Sequence, residues 1–167
     1  PVIEAGPNVL MITAWDSPTP NVGDDNTADT ILLTRSGSDL VVTVNGSESG
    51  RVPFASVDSI QVVGSDDDDT LLIDHTAAAI DVTVSFLGHD GTDTLEVTGD
   101  FDYTLTGALL TNPGAGSVTF ETIEQAILTG GAGDNTIDAN TFSGTATLNG
   151  GGGDDTLNGG TDDDMLV

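Results

Sequence analysis

The chain has 167 residues, enough for one domain or one elongated array, and sets 28 Asp and Glu against two Arg and no Lys, for a net charge of −26. That balance excludes nucleic acid and anionic membrane surfaces as partners, because both are held through Lys and Arg, and it makes cations the natural ligands. The absence of Cys removes disulfides, thiolate zinc sites and cysteine nucleophiles.

No stretch reads as a signal peptide or a transmembrane run. An acidic chain of this kind can be disordered, but Val, Ile, Leu and Thr are abundant here and patterned, which favours a folded chain once cation is present. In residues 1–22 the run 8–14 (NVLMITA) reads as a strand. Residues 15–20 read as a Pro-broken loop, with Trp15, the only Trp, as a cap over one end of a core. Residues 31–34 and 40–44 read as strands separated by a turn at 35–39. Asn45-Gly46 and Ser49-Gly50 are further turn signals, and 57–63 is another strand. Ile80, Val82, Val84 and Phe86 alternate with Asp81, Thr83 and Ser85, the mark of a half-buried strand. Residues 112–116 form a turn before a strand at 118–120. Residues 123–128 are too short between turns for a stable helix and read as a strand.

The C-terminal stretch holds two nine-residue units back to back, Gly150-Gly151-Gly152-Gly153-Asp154-Asp155-Thr156-Leu157-Asn158 and Gly159-Gly160-Thr161-Asp162-Asp163-Asp164-Met165-Leu166-Val167. A third copy, Gly130-Gly131-Ala132-Gly133-Asp134-Asn135-Thr136-Ile137-Asp138, precedes them. The template is G-G-x-G-x-D-x-U-x, with U a large apolar residue. Gly64-Ser65-Asp66-Asp67-Asp68-Asp69-Thr70-Leu71 and Gly88-His89-Asp90-Gly91-Thr92-Asp93-Thr94-Leu95 fit the same template in part. Glycines allow the first six positions to form a tight turn with exposed carbonyls, and a carboxylate at position six completes an all-oxygen cluster of the kind Ca²⁺ prefers. Position eight sends an apolar side chain inward from a short strand, and only stacked units can bury it.

At these residues the chain resembles the RTX, or hemolysin-type, calcium-binding repeat family. The resemblance implies calcium at the turns and a secreted or cell-surface bacterial protein. The fold expectation is all-β: a right-handed parallel β-solenoid (β-roll or β-helix) with Leu71, Leu95, Ile137 and Leu157 in a common apolar ladder and one regular acidic edge.

Three parts are expected. Residues 1–60 are β-rich, with a hairpin-containing domain and degenerate repeats both open; 61–129 hold degenerate repeats; 130–167 hold the RTX-like repeats. The position-six residues Asp29, Asp69, Asp93, Asn135, Asp155 and Asp164 are 40, 24, 42, 20 and 9 apart. Twenty to twenty-four is one circuit, and forty and forty-two read as two circuits with degenerate middle turns.

The calcium candidates pair turns one circuit apart. Gly131, Gly133, Asp134 and Asn135 face Gly151, Gly153 and Asp155, with Asn135 a neutral departure from the template. Asp69 and Asp93 pair likewise, and Asp164 serves the opposite edge, where Asp162 departs from Gly at position four. The competing reading is a solvated acidic edge whose Asp residues make only local turn bonds.

Residues 66–69 lack the Gly and Glu of an EF-hand loop, and residues 150–153 lack the Lys of a phosphate cradle. His75 and His89 have no third partner for zinc and read as surface or turn histidines. No nucleophile carries a motif, so no catalytic residue is expected. A polysaccharide-modifying or carbohydrate-binding β-helix is the contrasting class, and the single Trp and single Tyr weigh against it.

The expected function is a non-catalytic, calcium-stabilised extracellular module, a stalk or matrix segment of a bacterial surface protein, folding as Ca²⁺ binds. The chain starts without Met and stops where the next Gly-Gly is due, so it reads as a segment of a longer polypeptide. End-to-end stacking into a filament is the alternative use of the same architecture.

Overall fold

Short aliphatic and β-branched runs, cut every few residues by Gly, Asp or Asn turns, favour strands and leave little length for a helix. The computed structural model describes residues 2–5, 8–13 and 27–167, and among these it is all-β apart from one 3₁₀ turn at Phe54–Ser56. The reading of Trp15 and its Pro-broken loop lies outside the described residues.

The strands in chain order are β1 (Val2–Ala5), β2 (Val9–Thr13), β3 (Thr30–Ser36), β4 (Asp39–Val44), β5 (Ser47–Pro53), β6 (Ser59–Val63), β7 (Thr70–Asp74), β8 (Thr83–Leu87), β9 (Thr94–Thr98), β10 (Tyr103–Thr106), β11 (Leu109–Thr111), β12 (Val118–Glu121), β13 (Gln125–Thr129), β14 (Thr136–Thr141), β15 (Thr145–Asn149), β16 (Thr156–Asn158) and β17 (Met165–Leu166). They form two sheets, ordered β1-β2-β6-β8-β12-β11-β10-β14-β16 and β17-β15-β13-β9-β7-β3-β4-β5. From β6 onward the chain passes from the first sheet to the second and back. Most strands one circuit apart pair in parallel, as β6 with β8, β7 with β9 and β14 with β16.

Alternation then buries one face of each strand. In the second sheet Ile31, Leu71, Leu95, Ala126 and Ala146 stand in one register row, and Leu33, Ile73, Val97, Leu128 and Leu148 in another. In the first sheet Tyr103, Ile137 and Leu157 form a row. The expected common ladder is therefore two ladders. Leu71 and Leu95 belong to one sheet, Ile137 and Leu157 to the other, and Leu157 is only partly buried. Both ladders feed a single apolar cluster.

Two antiparallel excursions interrupt the parallel pattern. β3, β4 and β5 form a meander at one end of the second sheet. β11 is wedged between β12 and β10 in the first, so β9 and β13 are direct neighbours in the second sheet while their first-sheet counterparts are spread apart. The 40-residue step from Asp29 to Asp69 is therefore one circuit enlarged by the β4–β5 hairpin, since β3 pairs directly with β7. The sheets run without a break across residues 60 and 130, through the β2–β6, β3–β7, β10–β14 and β13–β15 pairs.

Both arginines are used in or near the β3–β5 meander. The Arg35 guanidinium lies 3.8 Å over the Phe54 ring, and Arg51 meets Glu48 at 3.0 Å and Asp39 at 3.6 Å. Asn45, at φ 50°, closes the β4–β5 turn and also ties it to the entry of β3. Its Oδ1 accepts from Thr30 N (2.9 Å) and its Nδ2 donates to Asp29 Oδ1 (2.6 Å). Asn45→Ala is expected to cost about 2 kcal/mol, as two bonds are lost, with the urea unfolding midpoint as the readout.

Candidate metal centre

Turns from the first sheet to the second form a forward edge: 64–69, 88–93, 122–124, 142–144 and 159–164. Turns from the second to the first form a return edge: 75–82, 99–102, 130–135 and 150–155. The acidic turns thus occupy two edges rather than one. The 42-residue step from Asp93 to Asn135 is a change of edge, not two circuits. Asp164 does lie on the edge opposite Asp155, as expected.

Each pair of turns expected to stack does stack, and the two pairs share one hydrogen-bond pattern. On the forward edge Asp69 N donates to Asp93 Oδ1 (2.8 Å), while Thr92 N donates back to Asp68 Oδ1 (2.7 Å). On the return edge Asn135 N donates to Asp155 Oδ1 (2.8 Å), while Asp154 N donates back to Asp134 Oδ1 (2.8 Å). Positions five and six therefore form a reciprocal clasp between neighbouring turns. Gly152 N adds a bond to Gly131 O (2.8 Å). The position-six half of this pattern continues along the forward edge, with Asp29 N donating to Asp69 Oδ1 (2.8 Å) and Asp93 N to Glu124 Oε2 (2.9 Å), and Ala146 N of β15 donates to Asp164 Oδ1 (2.8 Å).

The same geometry explains glycine at position one. The position-six side chain folds back over it. A Cβ on Gly64 would stand 2.6 Å from Asp69 Oδ2, and one on Gly159 would stand 2.6 Å from Asp164 Oδ2. Gly88, Gly130 and Gly150 are closed off in the same way by Asp93, Asn135 and Asp155. At position four, Gly91 (φ 115°) and Gly153 (φ 117°) adopt left-handed backbone that other residues avoid.

The position-six carboxylates differ in how well they are satisfied. Asp69 accepts from Asp29 N, and its Oδ2 accepts from Ser65 N (2.5 Å) and Ser65 Oγ (3.0 Å). Asn135 accepts from Gly131 N (2.8 Å) and turns its Nδ2 to Asp100 Oδ1 (3.3 Å). In both turns the second amide caps the sixth side chain. In the turn 88–93 that amide is diverted. His89, at φ 80°, donates from N to Thr122 Oγ1 (2.8 Å), and Asp93 Oδ2 is left buried with no donor. In the turn 150–155 the second amide, Gly151 N, goes to Asn149 Oδ1 (3.0 Å), and Asp155 keeps only its bond from Asn135 N.

Asp69 and Asp93 are both 0 % exposed, so a solvated edge does not describe them; Asp155 and Asp164 are partly exposed. Burial pushes the Asp93 carboxyl up to about 7. The bond from the Asp69 amide opposes the rise, and the charges of Asp69, Glu124 and Asp68 add to it. Both Asp93 Oδ2 and Thr122 O press on the place a Gly88 side chain would fill, so a carboxylate oxygen and a carbonyl oxygen face the same point.

These oxygens suit a hard cation. Among the described residues no group of three His, Cys, Asp or Glu could hold a metal, so backbone carbonyls would have to complete any coordination shell. The spacing missed Glu124, which fills position six of a turn that has no glycine. It also missed Asp100, whose carboxylate lies against Gly131 and accepts from Gly133 N (3.1 Å). The buried Ala126 two residues after Glu124 repeats the six-to-eight spacing and was the available signal. No helix among the described residues is long and apolar enough to cross a membrane. Comparison with protein-family models, curated proteins and solved structures returned no match.

Proposed function

We propose that this chain is a non-catalytic structural module, a right-handed parallel β-solenoid of RTX-like repeats whose acidic turns take up Ca²⁺, working outside the cell as a segment of a bacterial surface protein. The observation that carries the reading is Asp93 Oδ2, a fully buried carboxylate oxygen with no donor, set beside a backbone carbonyl and among three further carboxylates. Burying such a group as an anion is costly, and a divalent cation offsets that cost. The chain's own cations do not serve: Arg35 is over Phe54 and Arg51 is paired in the hairpin.

Asp93, Thr122 and Glu124 on the forward edge would hold one ion. Asp134, Asp155 and the carbonyls of the 130–135 turn would hold another on the return edge. The ion would neutralise the stacked turns, so that folding and ion uptake are coupled. Extracellular calcium modules work in the range of about 10⁻⁴–10⁻³ M, which ties such a chain to conditions outside the cytoplasm.

The test is thermal unfolding at pH 7.5 in chelator, in 5 mM Mg²⁺ and in 5 mM Ca²⁺. The reading expects a rise in Tm of about 5 °C or more with Ca²⁺ and a smaller rise with Mg²⁺, whose tighter octahedral shell these turns match poorly. Equal melting in all three conditions would remove calcium from the account.

A further inference from the structure

His75, read as a surface or turn histidine, opens the return-edge turn 75–82 but is buried there, at 7 % exposure. Its backbone N is bound to Thr98 O (2.8 Å), and its ring stands edge-on to Phe101 at 5.6 Å. Gly99 packs against it so closely that a Cβ there would lie 2.8 Å from His75 Cβ. The ring's Nδ1 accepts a hydrogen bond from Ile80 N (3.1 Å), which fixes the tautomer with the proton on Nε2. Nε2 faces the Asn112 carboxamide at 3.4 Å, and buried Asn112 Oδ1 has no donor. With the carboxamide turned so that its oxygen meets Nε2–H, that donor and that oxygen pair with each other.

Neutral His75 thereby joins three segments. They are its own turn, the 99–102 turn, and the loop 112–117 that returns from the β10–β11 excursion. That loop is seated on the His75 turn by Gly116 N to Ile80 O (2.9 Å), with Gly116 so close to Ile80 O and Val82 O that no side chain fits.

We propose that His75 is a pH-sensitive latch: the neutral ring accepts the Ile80 amide and pins the 75–82 turn to the 112–117 loop, and protonation turns that acceptor into a donor and releases both. Of the charged groups nearby, Asp74 at the end of β7 acts on the ring; Asp81 lies further along its own turn, and Asp100 and Asp102 lie on the 99–102 turn. Arg35 reaches in from β3, with Nη1 donating to Ala79 O (3.2 Å). The loop 112–117 contributes no titratable group. Burial lowers the His75 pKa from 6.5 to about 4, with Asp74 pulling the other way.

Since protons bind the released ring more tightly, the open population rises as pH falls below about 6.5. With those two values it grows roughly 20- to 30-fold between pH 7.5 and pH 5.

The test is amide hydrogen exchange of the full chain at pH 7.5 and pH 5, corrected for intrinsic rates, with ¹⁵N shifts of the His75 ring on the same sample. The expected result is an unprotonated Nδ1 at pH 7.5 and a loss of Ile80 protection by that factor at pH 5, while Leu71 and Ile73 change far less. His75→Asn keeps an acceptor near the Nδ1 position and cannot titrate, so Ile80 protection should become independent of pH in that variant. Unchanged Ile80 protection in the wild type, or an equal loss in His75→Asn, would overturn the latch.

Discussion

Asp93→Asn should stabilise the calcium-free protein at pH 7.5 by about 2 kcal/mol and should remove the forward-edge share of the response to calcium. The carboxamide keeps Oδ1 for the Asp69 amide and replaces the donorless oxygen with an N–H₂ on the side of Thr122 O. Asn135 already shows the substitution in place. It fills position six of the 130–135 turn with its oxygen on Gly131 N and its nitrogen on Asp100.

The magnitude follows from linkage. A carboxyl raised from 3.8 to about 7 is bounded at about 4 kcal/mol, and solvent near the turn reduces the expectation to about half of that. The sign is that of a raised acid. The folded chain holds the proton more tightly than the unfolded chain, so calcium-free stability falls as pH rises from about 4 to about 7. His75, a lowered base, works in the opposite sense, and its contribution is complete only above pH 6.5. In the wild type the two slopes oppose each other. In calcium-free Asp93→Asn the opposing slope is gone, and stability should drop on acidification from pH 6.5 toward pH 4. Urea unfolding across that range in chelator reads both effects.

The second large effect is expected at Gly88. An added methyl would collide with the Asp93 carboxylate and with the Thr122 carbonyl, and the carbonyl is backbone that cannot swing aside. Gly88→Ala should cost about 3 kcal/mol and displace Asp93. The contrasting substitution is Gly152→Ala, in the corresponding glycine-rich turn of the other edge. There the nearest atom to the new methyl is Ala132 Cα at 3.9 Å, and the change should stay within about 0.5 kcal/mol. The template already leaves position three open, as Ala132 and Thr161 show in the neighbouring units. The geometry separates a glycine under a carboxylate from a glycine facing open space.

Local pattern was a good guide wherever the physics was local. Alternation placed Val84, Phe86, Leu95 and Val97 inward, and the Gly-Asp spacing identified both clasped turn pairs, because strand pleat and turn conformation are set by a few adjacent residues. It failed where the determinant was a distant pairing. Nothing in the spacing distinguishes an enlarged circuit from two circuits, so the count between Asp29 and Asp69 took for a degenerate middle turn what is the β4–β5 hairpin, the alternative left open for residues 1–60. Nor does it report which edge a turn occupies, and so Asp93 and Asn135 were placed on one ruler. Glu124 escaped because its turn is held by Thr122 at φ 56° rather than by glycine. The burial of His75 escaped because it depends on Gly99 and Phe101 of the next turn and on Asn112, brought in by the antiparallel excursion.

The measurement that bears most directly on a calcium-filled turn stack is a crystal structure grown in millimolar CaCl₂, with anomalous differences collected. The account predicts a peak about 2.3–2.6 Å from Asp93 Oδ2 on the forward edge and a second beside Asp155 on the return edge. A map with no peak at either turn, and with Asp93 Oδ2 instead bonded to a proton donor, would contradict it.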